Sequence, residues 1–359
     1  MLKVIGDQEL DKSKVERILV RATNWVGDVV MSMPALEAVR ENFPSSSITV
    51  IANPWVKPMF EHHPAVDQIL TFSKGEGYFQ GLVEMIRIMR LIRRQRFDLA
   101  ILLQNAFEAA FLAYLGGVRC RLGYNTDARG FLLTHSVIKS DQVLKVHQVE
   151  YYLSILRAMG WEAPSRDPLL YVPQEYVKEG RNIIENGGAK QTDFLVGISP
   201  GAVFGGAKRW PPERFARIGD WAVEKWGAKV FLMGSKSETG ICRALSSSMA
   251  KSSINLCGRT SLGEAMGVIS QFNFFVTNDS GLMHVASALG VPTVAVFGPT
   301  DPKATGPRGT KIRIVKRDIS CAPCLKPECP TDHRCMLSIE PAGVWEEMED
   351  LRKEIMQRS

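Results

Sequence analysis

The chain has 359 residues, of which 45% are apolar and 23% charged, a composition typical of a globular protein with room for two domains. No apolar run approaches the roughly 20 residues that span a bilayer, and the first residues lack the apolar core of a signal peptide, so we expect a cytoplasmic protein. The net charge of +6 suits an anionic substrate or an anionic membrane surface. It is too small for a dedicated nucleic-acid binder, and no nucleic-acid partner is expected.

The first half of the chain alternates short β-rich runs with longer amphipathic stretches. The run RILVR at 17–21 predicts the first strand, and a helix is predicted over 28–42. Two further strands are predicted at 48–52 and 99–103, and two further helices at 79–94 and 147–160.

A second series of the same kind begins with a strand predicted at 194–199. The segment PPERFARIGDWAVEKWG begins with prolines and ends at Gly227, which predicts a complete helix. Repeated β–α units indicate an α/β fold with parallel, doubly wound sheets in two Rossmann-like domains facing a cleft. We place the domains at 1–170 and 176–340, because three prolines lie between 163 and 175. The remaining predicted strands are 229–233, 254–257, 274–277 and 293–297, and the helices 238–249, 262–270 and 280–289.

The segment Asn24-Trp25-Val26-Gly27-Asp28 joins the first strand to the first helix. Ligands of open α/β sheets bind beyond the carboxyl ends of the strands, where Asp28 is expected. The alternative is that Asp28 is only the N-cap of the helix.

A glycine-rich loop between Gly201 and Lys208 follows the first strand of the second series. Glycines and a lysine at a strand end suit phosphate binding. The spacing is not that of a P-loop, and a solvated lysine is the alternative.

The motif Asn278-Asp279-Ser280-Gly281 lies between a strand and a helix, and His284 lies one turn into that helix. Free N–H groups at the helix N-terminus would stabilise a diphosphate without a metal. The alternative is an Asp or Ser cap and a half-buried histidine.

Four cysteines, Cys321, Cys324, Cys329 and Cys335, form a cluster near the C-terminus. They suggest either a zinc or iron–sulfur site or a compact loop with structural thiols. The spacing is shorter than in common zinc modules, which favours the loop.

A row of arginines marks the helix predicted at 79–94 and its end. Such a face either meets lipid headgroups or is simply solvated, and the second is the commoner case. The arginines are Arg87, Arg90, Arg93, Arg94 and Arg96.

Taken together, these motifs resemble the bacterial lipopolysaccharide heptosyltransferases of glycosyltransferase family nine, and within it the type that adds the second heptose. The resemblance covers nearly the whole chain. It is carried by ILVRATNWVGDVVMSMPALEAVR, SPGAVFGGAKRWPPERFA, TNDSGLMHVASALGVPTVAVFGPTDP and CAPCLKPECP.

The resemblance implies an inverting transferase of the GT-B type that moves heptose from ADP-heptose to the heptose of the lipid A–core acceptor. No cofactor and no metal are implied, and the enzyme is expected on the inner face of the cytoplasmic membrane as a peripheral protein. The N-terminal domain would bind the acceptor and the C-terminal domain the nucleotide-sugar. A C-terminal helix at 344–356 would pack back on the N-terminal domain.

The family's site residues carry over onto matching positions. Asp28 would be the general base, and Asn24 and Arg129 would bind the acceptor, the last on a weak match. The donor would be bound by Gly201, Lys208, Glu238, Asp279, Ser280, Gly281 and His284. Some members carry threonines before the lysine where this chain has Val203-Phe204-Gly205-Gly206, which favours backbone N–H contacts to the phosphates.

Two other functions remain open from the sequence. A nucleotide-sugar epimerase of the same architecture would turn over donor without an acceptor. A non-catalytic module that binds a metal through the four cysteines would show no transfer. A dehydrogenase is disfavoured, because the first strand–helix turn lacks the glycine fingerprint.

Overall fold

The computed structural model describes residues 3–6, 10–75, 77–190 and 192–358. Its contacts divide the chain into two compact units, Met1–Tyr171 and Val172–Ser359. The division lies within the proline-containing segment 163–175.

The first unit is built on a seven-stranded sheet with the order β1-β7-β6-β5-β2-β3-β4. All neighbouring strands are parallel except β1, which pairs antiparallel with β7. From β2 onward the chain therefore follows the 3-2-1-4-5-6 order of a Rossmann sheet. The strands are β1 Val4–Ile5, β2 Arg17–Arg21, β3 Ser47–Ala52, β4 Gln68–Thr71, β5 Leu99–Leu102, β6 Cys120–Tyr124 and β7 His135–Val137.

Five α-helices accompany this sheet in the described residues. The first is buried on several sides, with Val29, Met33 and Leu36 in the core, and it packs against the fifth. The helices are α1 Val26–Asn42, α2 Tyr78–Gln95, α3 Phe107–Leu115, α4 Asp141–Leu144 and α5 Gln148–Arg157.

The second unit contains a fully parallel six-stranded sheet with the order β10-β9-β8-β11-β12-β13. This is again the 3-2-1-4-5-6 order, so the fold is α/β with parallel sheets in both units. The strands are β8 Leu195–Ser199, β9 Lys229–Leu232, β10 Ile254–Asn255, β11 Phe274–Asn278, β12 Thr293–Val296 and β13 Ile312–Val315.

In the second unit, helix α7 begins and ends at the residues that the sequence predicts. Helix α7 begins after Pro211 and ends at Gly227, whose φ of 65° is the left-handed conformation that glycine adopts without strain. Its buried face includes Phe215 and Ile218, which pack in the same core as strand β8. The helices are α6 Gln174–Asn186, α7 Pro212–Trp226, α8 Thr239–Ser248, α9 Leu262–Ile269, α10 Gly281–Ala288, α11 Pro302–Thr305, α12 Arg334–Leu337 and α13 Pro341–Arg358.

The helix predicted at 344–356 is α13, and its packing back on the N-terminal domain stays a prediction. It packs on α7, β12 and β13 of the second unit. Val344, Met348 and Leu351 are buried in the core of that unit, and the Trp345 ring lies 4.7 Å from the Trp226 ring. The apolar stripe of the helix therefore completes the second core.

Several predicted boundaries shift by one or two residues. The helix predicted from residue 28 begins at Val26, and the helix predicted from 238 begins at Thr239, after a 3-10 turn. No helix among the described residues is long and apolar enough to cross a bilayer.

Candidate functional site

Each sheet has one point at which the strand order reverses, between β2 and β5 in the first unit and between β8 and β11 in the second. Ligands of such sheets bind in the crevice beyond the carboxyl ends of the strands at this point. Asn24 and Asp28 follow β2, whereas Gly201 follows β8 and Asp279 follows β11. The candidate residues therefore fall at the two expected positions.

Asp28 lies in the first turn of α1, and the alternative that it is the helix N-cap is wrong. Trp25 occupies the cap position without a side-chain hydrogen bond. A carboxylate in the first turn is stabilised by the positive end of the helix dipole. Its Oδ1 accepts a hydrogen bond from the Tyr152 hydroxyl at 3.1 Å.

Tyr152 lies on α5 and is buried against α1. Burial, and after it the negative charge of Asp28, raises the pKa of the Tyr152 phenol well above its usual value. The phenol therefore stays protonated and donates to Asp28 throughout the physiological range. This bond fixes the orientation of the carboxylate at the end of the sheet.

Asn24 and Gln104 follow the neighbouring strands β2 and β5. Asn24 Oδ1 and Gln104 Oε1 are buried, and neither has a hydrogen-bond partner in the described part of the chain. Buried acceptors without partners are uncommon in native structures. At a strand end, both suit hydroxyl donors of a bound sugar.

The expectation that Arg129 binds the acceptor directly is not supported by its surroundings. Its side chain is 0% exposed. The guanidinium donates to the Tyr124 carbonyl at 3.0 Å and to Asn105 Oδ1 at 3.1 Å, and also to the carbonyls of Gln104 and Ala106. Arg129 holds together the loops after β5 and β6 instead.

Lys208 and Asp279 form the centre of the cluster in the second unit. Lys208 Nζ lies 2.6 Å from Asp279 Oδ2, and the two side chains are 13% and 6% exposed. The Thr300 hydroxyl donates to the same oxygen at 2.7 Å. The Phe204 ring lies beneath the ammonium, with its centroid 4.8 Å from Nζ. The solvated-lysine alternative does not fit this geometry.

Asn278 joins the loops that follow β8 and β11. Its side-chain amide donates to the Pro200 carbonyl at 2.7 Å, and its Oδ1 accepts from the backbone N–H of Trp210 at 3.1 Å. The Lys208 loop is thereby anchored to the strand that carries Asp279.

Ser280 caps helix α10, since its hydroxyl accepts from the Met283 N–H at 3.3 Å. The N–H groups of Gly281 and Leu282, in the first turn of the helix, have no acceptor within it. His284 lies one turn further along and is 5% exposed. Together with Lys208, this helix end supplies donors and positive potential.

Glu238 lies directly against Gly201. The Ser235 N–H and hydroxyl each donate to Glu238 Oε2 at 2.7 Å, and the two residues form the capping box of the 3-10 turn that precedes α8. A Cβ atom at position 201 would lie 1.9 Å from Glu238 Oε1. Any side chain at position 201 would have to displace the Glu238 carboxylate, so the two predicted donor residues are in contact.

Tyr152 and Thr300 were not predicted from the sequence as site residues, and Asn278 was predicted only as part of the Asn278–Gly281 motif. Thr300 follows β12, the strand beside β11. A hydroxyl residue shortly after this strand could therefore have been predicted from the sequence to lie near Asp279. Tyr152 lies far from Asp28 in the sequence, and only the packing of α1 on α5 brings the two together.

The cysteines are all free thiols. Cys321, Cys324, Cys329 and Cys335 line one small cavity of about 130 Å³ together with Ala207. Within the described ranges, no group of three or more His, Cys, Asp or Glu side chains is arranged to hold a metal ion.

Comparison with known proteins gives a consistent result. The model of glycosyltransferase family 9 (heptosyltransferase) matches residues 85–334. The chain is 32% identical to lipooligosaccharide heptosyltransferase 2 of Haemophilus ducreyi over 93% of this chain and 99% of that protein. It is 31% identical to lipopolysaccharide heptosyltransferase 2 of Escherichia coli over 93% and 98%.

A solved structure described as E. coli ADP-heptose lps heptosyltransferase II superposes with a TM-score of 0.82. It is 27% identical and covers 95% of this chain and 99% of its own. A glycosyltransferase family 9 structure from Veillonella parvula, 24% identical, shares the fold with a TM-score of 0.86.

Proposed function

Since this chain belongs to glycosyltransferase family 9, we propose that it is a heptosyltransferase of the second type, which moves heptose from ADP-heptose to the heptose of the lipopolysaccharide inner core. The observation that carries the proposal is the likeness to heptosyltransferase 2 proteins at 31–32% identity over 93% of the chain. The polar clusters at both strand-order reversals support it.

We assign the donor diphosphate to the second unit. ADP leaves as an anion, and its departure is favoured by positive charge placed where negative charge develops. Lys208 and the N-terminus of α10 supply that charge. Asp279 binds Lys208 in the absence of donor and keeps the ammonium directed at the strand end. Glu238, beside Gly201, contacts the nucleoside end of the donor.

We assign the general base to Asp28 and part of the acceptor site to Asn24. A sugar hydroxyl is a weak nucleophile at neutral pH, and a carboxylate that removes its proton during attack contributes about 10²–10⁴-fold. Transfer with inversion needs the base and the leaving group on opposite faces of the sugar.

Transfer itself is tested by incubating the protein with ADP-heptose and a one-heptose core acceptor in the presence of EDTA. The proposal predicts release of ADP together with an acceptor heavier by one heptose. An epimerised donor formed without acceptor would instead identify the epimerase, and activity that needs an added metal would contradict the charge assignment.

We also propose that the enzyme binds the membrane that holds its lipid acceptor through the outer face of α2. Phe79 is 81% and Val83 63% exposed near the start of this helix. Arg90, Arg93 and Arg94 are exposed near its end, and at helical spacing Arg90 and Arg94 share a face with Phe79 and Val83. We call these five residues the α2 face. The opposite side of the helix carries the buried Ile88 and Ile92.

Two further exposed aromatic side chains, Phe131 and Phe107, lie in the same unit as the α2 face. Phe131 is 77% exposed and its ring lies 6.3 Å from that of Phe107, at the start of α3. Lys74, just before α2, pairs with Glu108 at 2.8 Å, which holds this end of α2 beside α3. Apolar side chains beside arginines that form no ion pair among the described residues match the acyl boundary and phosphates of an anionic leaflet.

The paired substitution Arg90→Glu and Arg94→Glu is expected to weaken binding to vesicles containing anionic lipid by at least about 30-fold, since each arginine near such a surface contributes about 1 kcal/mol. Cosedimentation with anionic and zwitterionic vesicles measures this. The matched control, Arg181→Glu with Arg243→Glu, changes the charge equally on exposed helix positions of the second unit. If both variants lose vesicle binding equally, the effect comes from the net charge of the protein and the proposed role of the α2 face is wrong.

A further inference from the structure

Residues 321–336, which we call the cysteine segment, take no part in the proposed chemistry. The segment contacts two loops that surround Asp279, namely the loop of Lys208 and the loop of Thr300. Its Pro327 carbonyl accepts from the Ala207 N–H at 2.9 Å, and Glu328 Oε1 accepts from the Gly206 N–H at 3.2 Å. His333 Nε2 lies 2.8 Å from the Ala207 carbonyl and must carry a proton, because a carbonyl only accepts. Three hydrogen bonds thus hold the two residues before Lys208.

The fit between this segment and the Lys208 loop is too close for a side chain at position 205. Gly205 has a φ of 158°, and a Cβ atom there would lie 2.1 Å from the Pro327 carbonyl oxygen. Gly205 lies in the stretch where some family members carry threonines. Its lack of a side chain therefore allows the cysteine segment to pack directly against the Lys208 loop.

The same segment also binds the loop that carries Thr300. The Leu325 N–H donates to the Pro299 carbonyl at 2.9 Å. A Cβ atom on Gly298 would lie 2.7 Å from Met336 Sδ. Because Thr300 and Lys208 both bind Asp279 Oδ2, one segment fixes the positions of both groups that surround this carboxylate.

Cys329 organises the turn that presents His333. Its Sγ accepts from the His333 N–H at 3.2 Å and lies 3.5 Å from the Thr331 hydroxyl. His333 has a φ of 57°, in the left-handed region that few residue types other than glycine tolerate. His333 occupies the N-cap position of α12 without a side-chain cap hydrogen bond, and its ring lies against the Ala207 carbonyl. Hydrogen bonds from Thr331, and a weaker one from the His333 N–H, lower the pKa of the Cys329 thiol.

We propose that Glu328 and His333, held by the Cys329 turn, are positioning residues that fix the Lys208 loop in the geometry that binds the donor diphosphate. This inference rests on the proposed role of Lys208 in donor binding. It gives the cysteine segment a role in donor affinity without chemistry of its own.

The test compares His333→Ala and Glu328→Ala with the conservative His333→Gln and Glu328→Gln. Donor KM, ADP dissociation constant, acceptor KM, kcat and thermal unfolding are measured for each variant. The alanine variants are expected to raise the donor KM and the ADP dissociation constant roughly three- to ten-fold, the usual effect of losing one hydrogen bond. The acceptor KM stays unchanged, and the glutamine variants recover most of the donor affinity.

Asp332→Ala is the matched control, because Asp332 lies in the same segment and pairs only with Arg334 among the contacts of the described chain. It is expected to leave donor affinity unchanged. A lower unfolding temperature with unchanged ADP affinity in His333→Ala and Glu328→Ala would overturn the positioning role. Lys208→Ala is measured in the same series. If Lys208→Ala also leaves ADP affinity unchanged, the donor-site assignment itself fails, and the two failures are therefore distinguishable.

Discussion

Replacing Asp28 with asparagine is expected to lower kcat for heptose transfer by about 10²–10⁴-fold. The amide keeps the size of the side chain and can still accept from Tyr152, but it cannot take a proton from the attacking hydroxyl. ADP-heptose affinity is expected to stay nearly unchanged, because the base acts on the acceptor. Steady-state kinetics and a separate ADP titration measure the two effects.

Tyr152→Phe is the matched control for this prediction. It removes the hydrogen bond to Asp28 Oδ1 and keeps the carboxylate, so we expect a much smaller fall in kcat. If Asp28→Asn retains more than about a tenth of wild-type kcat, its contribution lies below that of a general base, and Asp28 only stabilises the start of α1.

Replacing Lys208 with alanine is expected to lower kcat/KM for ADP-heptose by at least about 10²-fold, the usual loss on removing a donor that stabilises developing charge. The variant also leaves the Asp279 carboxylate, which is 6% exposed, without its cation and beside the position that we propose for the diphosphate. Repulsion between these negative charges adds to the loss. Lys208→Arg keeps the charge and is expected to retain part of the activity.

Asp279→Asn separates the two roles of the ion pair. If Lys208 binds the diphosphate, this variant retains more ADP affinity than Lys208→Ala, because the ammonium remains. If the pair is merely structural, both variants lower stability alike and ADP affinity falls equally. ADP titration and thermal unfolding of the same preparations decide between these outcomes.

The sequence predicted the α/β class because periodicity and helix stops are local signals. The helix ending at Gly227 and the strand–helix turn at Ser280 needed only neighbouring residues. Helix α3 was missed because its sequence, FEAAFLAYL, is apolar on nearly all sides and has no clear helical period. Strand β13 was missed because it is only four residues long and is flanked by lysine and arginine at the edge of the sheet.

The site was predictable to the extent that it follows strand ends. Lys208, Asp279 and Gly201 each lie beside a predicted strand, and parallel strands bring such positions to one edge. The burial of Arg129 depends on loops after two different strands. The packing of α13 depends on its contacts with the core of the second unit. Neither the burial of Arg129 nor the packing of α13 can be predicted from a local sequence pattern.

The most direct test of the proposed function is transfer from ADP-heptose to lipid A cores that carry zero, one or two heptoses, followed by mass spectrometry. We expect one added heptose on the core that already carries one, and little or no product from the other two. Efficient transfer to the heptose-free core, or to the core with two heptoses, would contradict assignment to the second type. Turnover of donor without any acceptor would contradict transfer altogether.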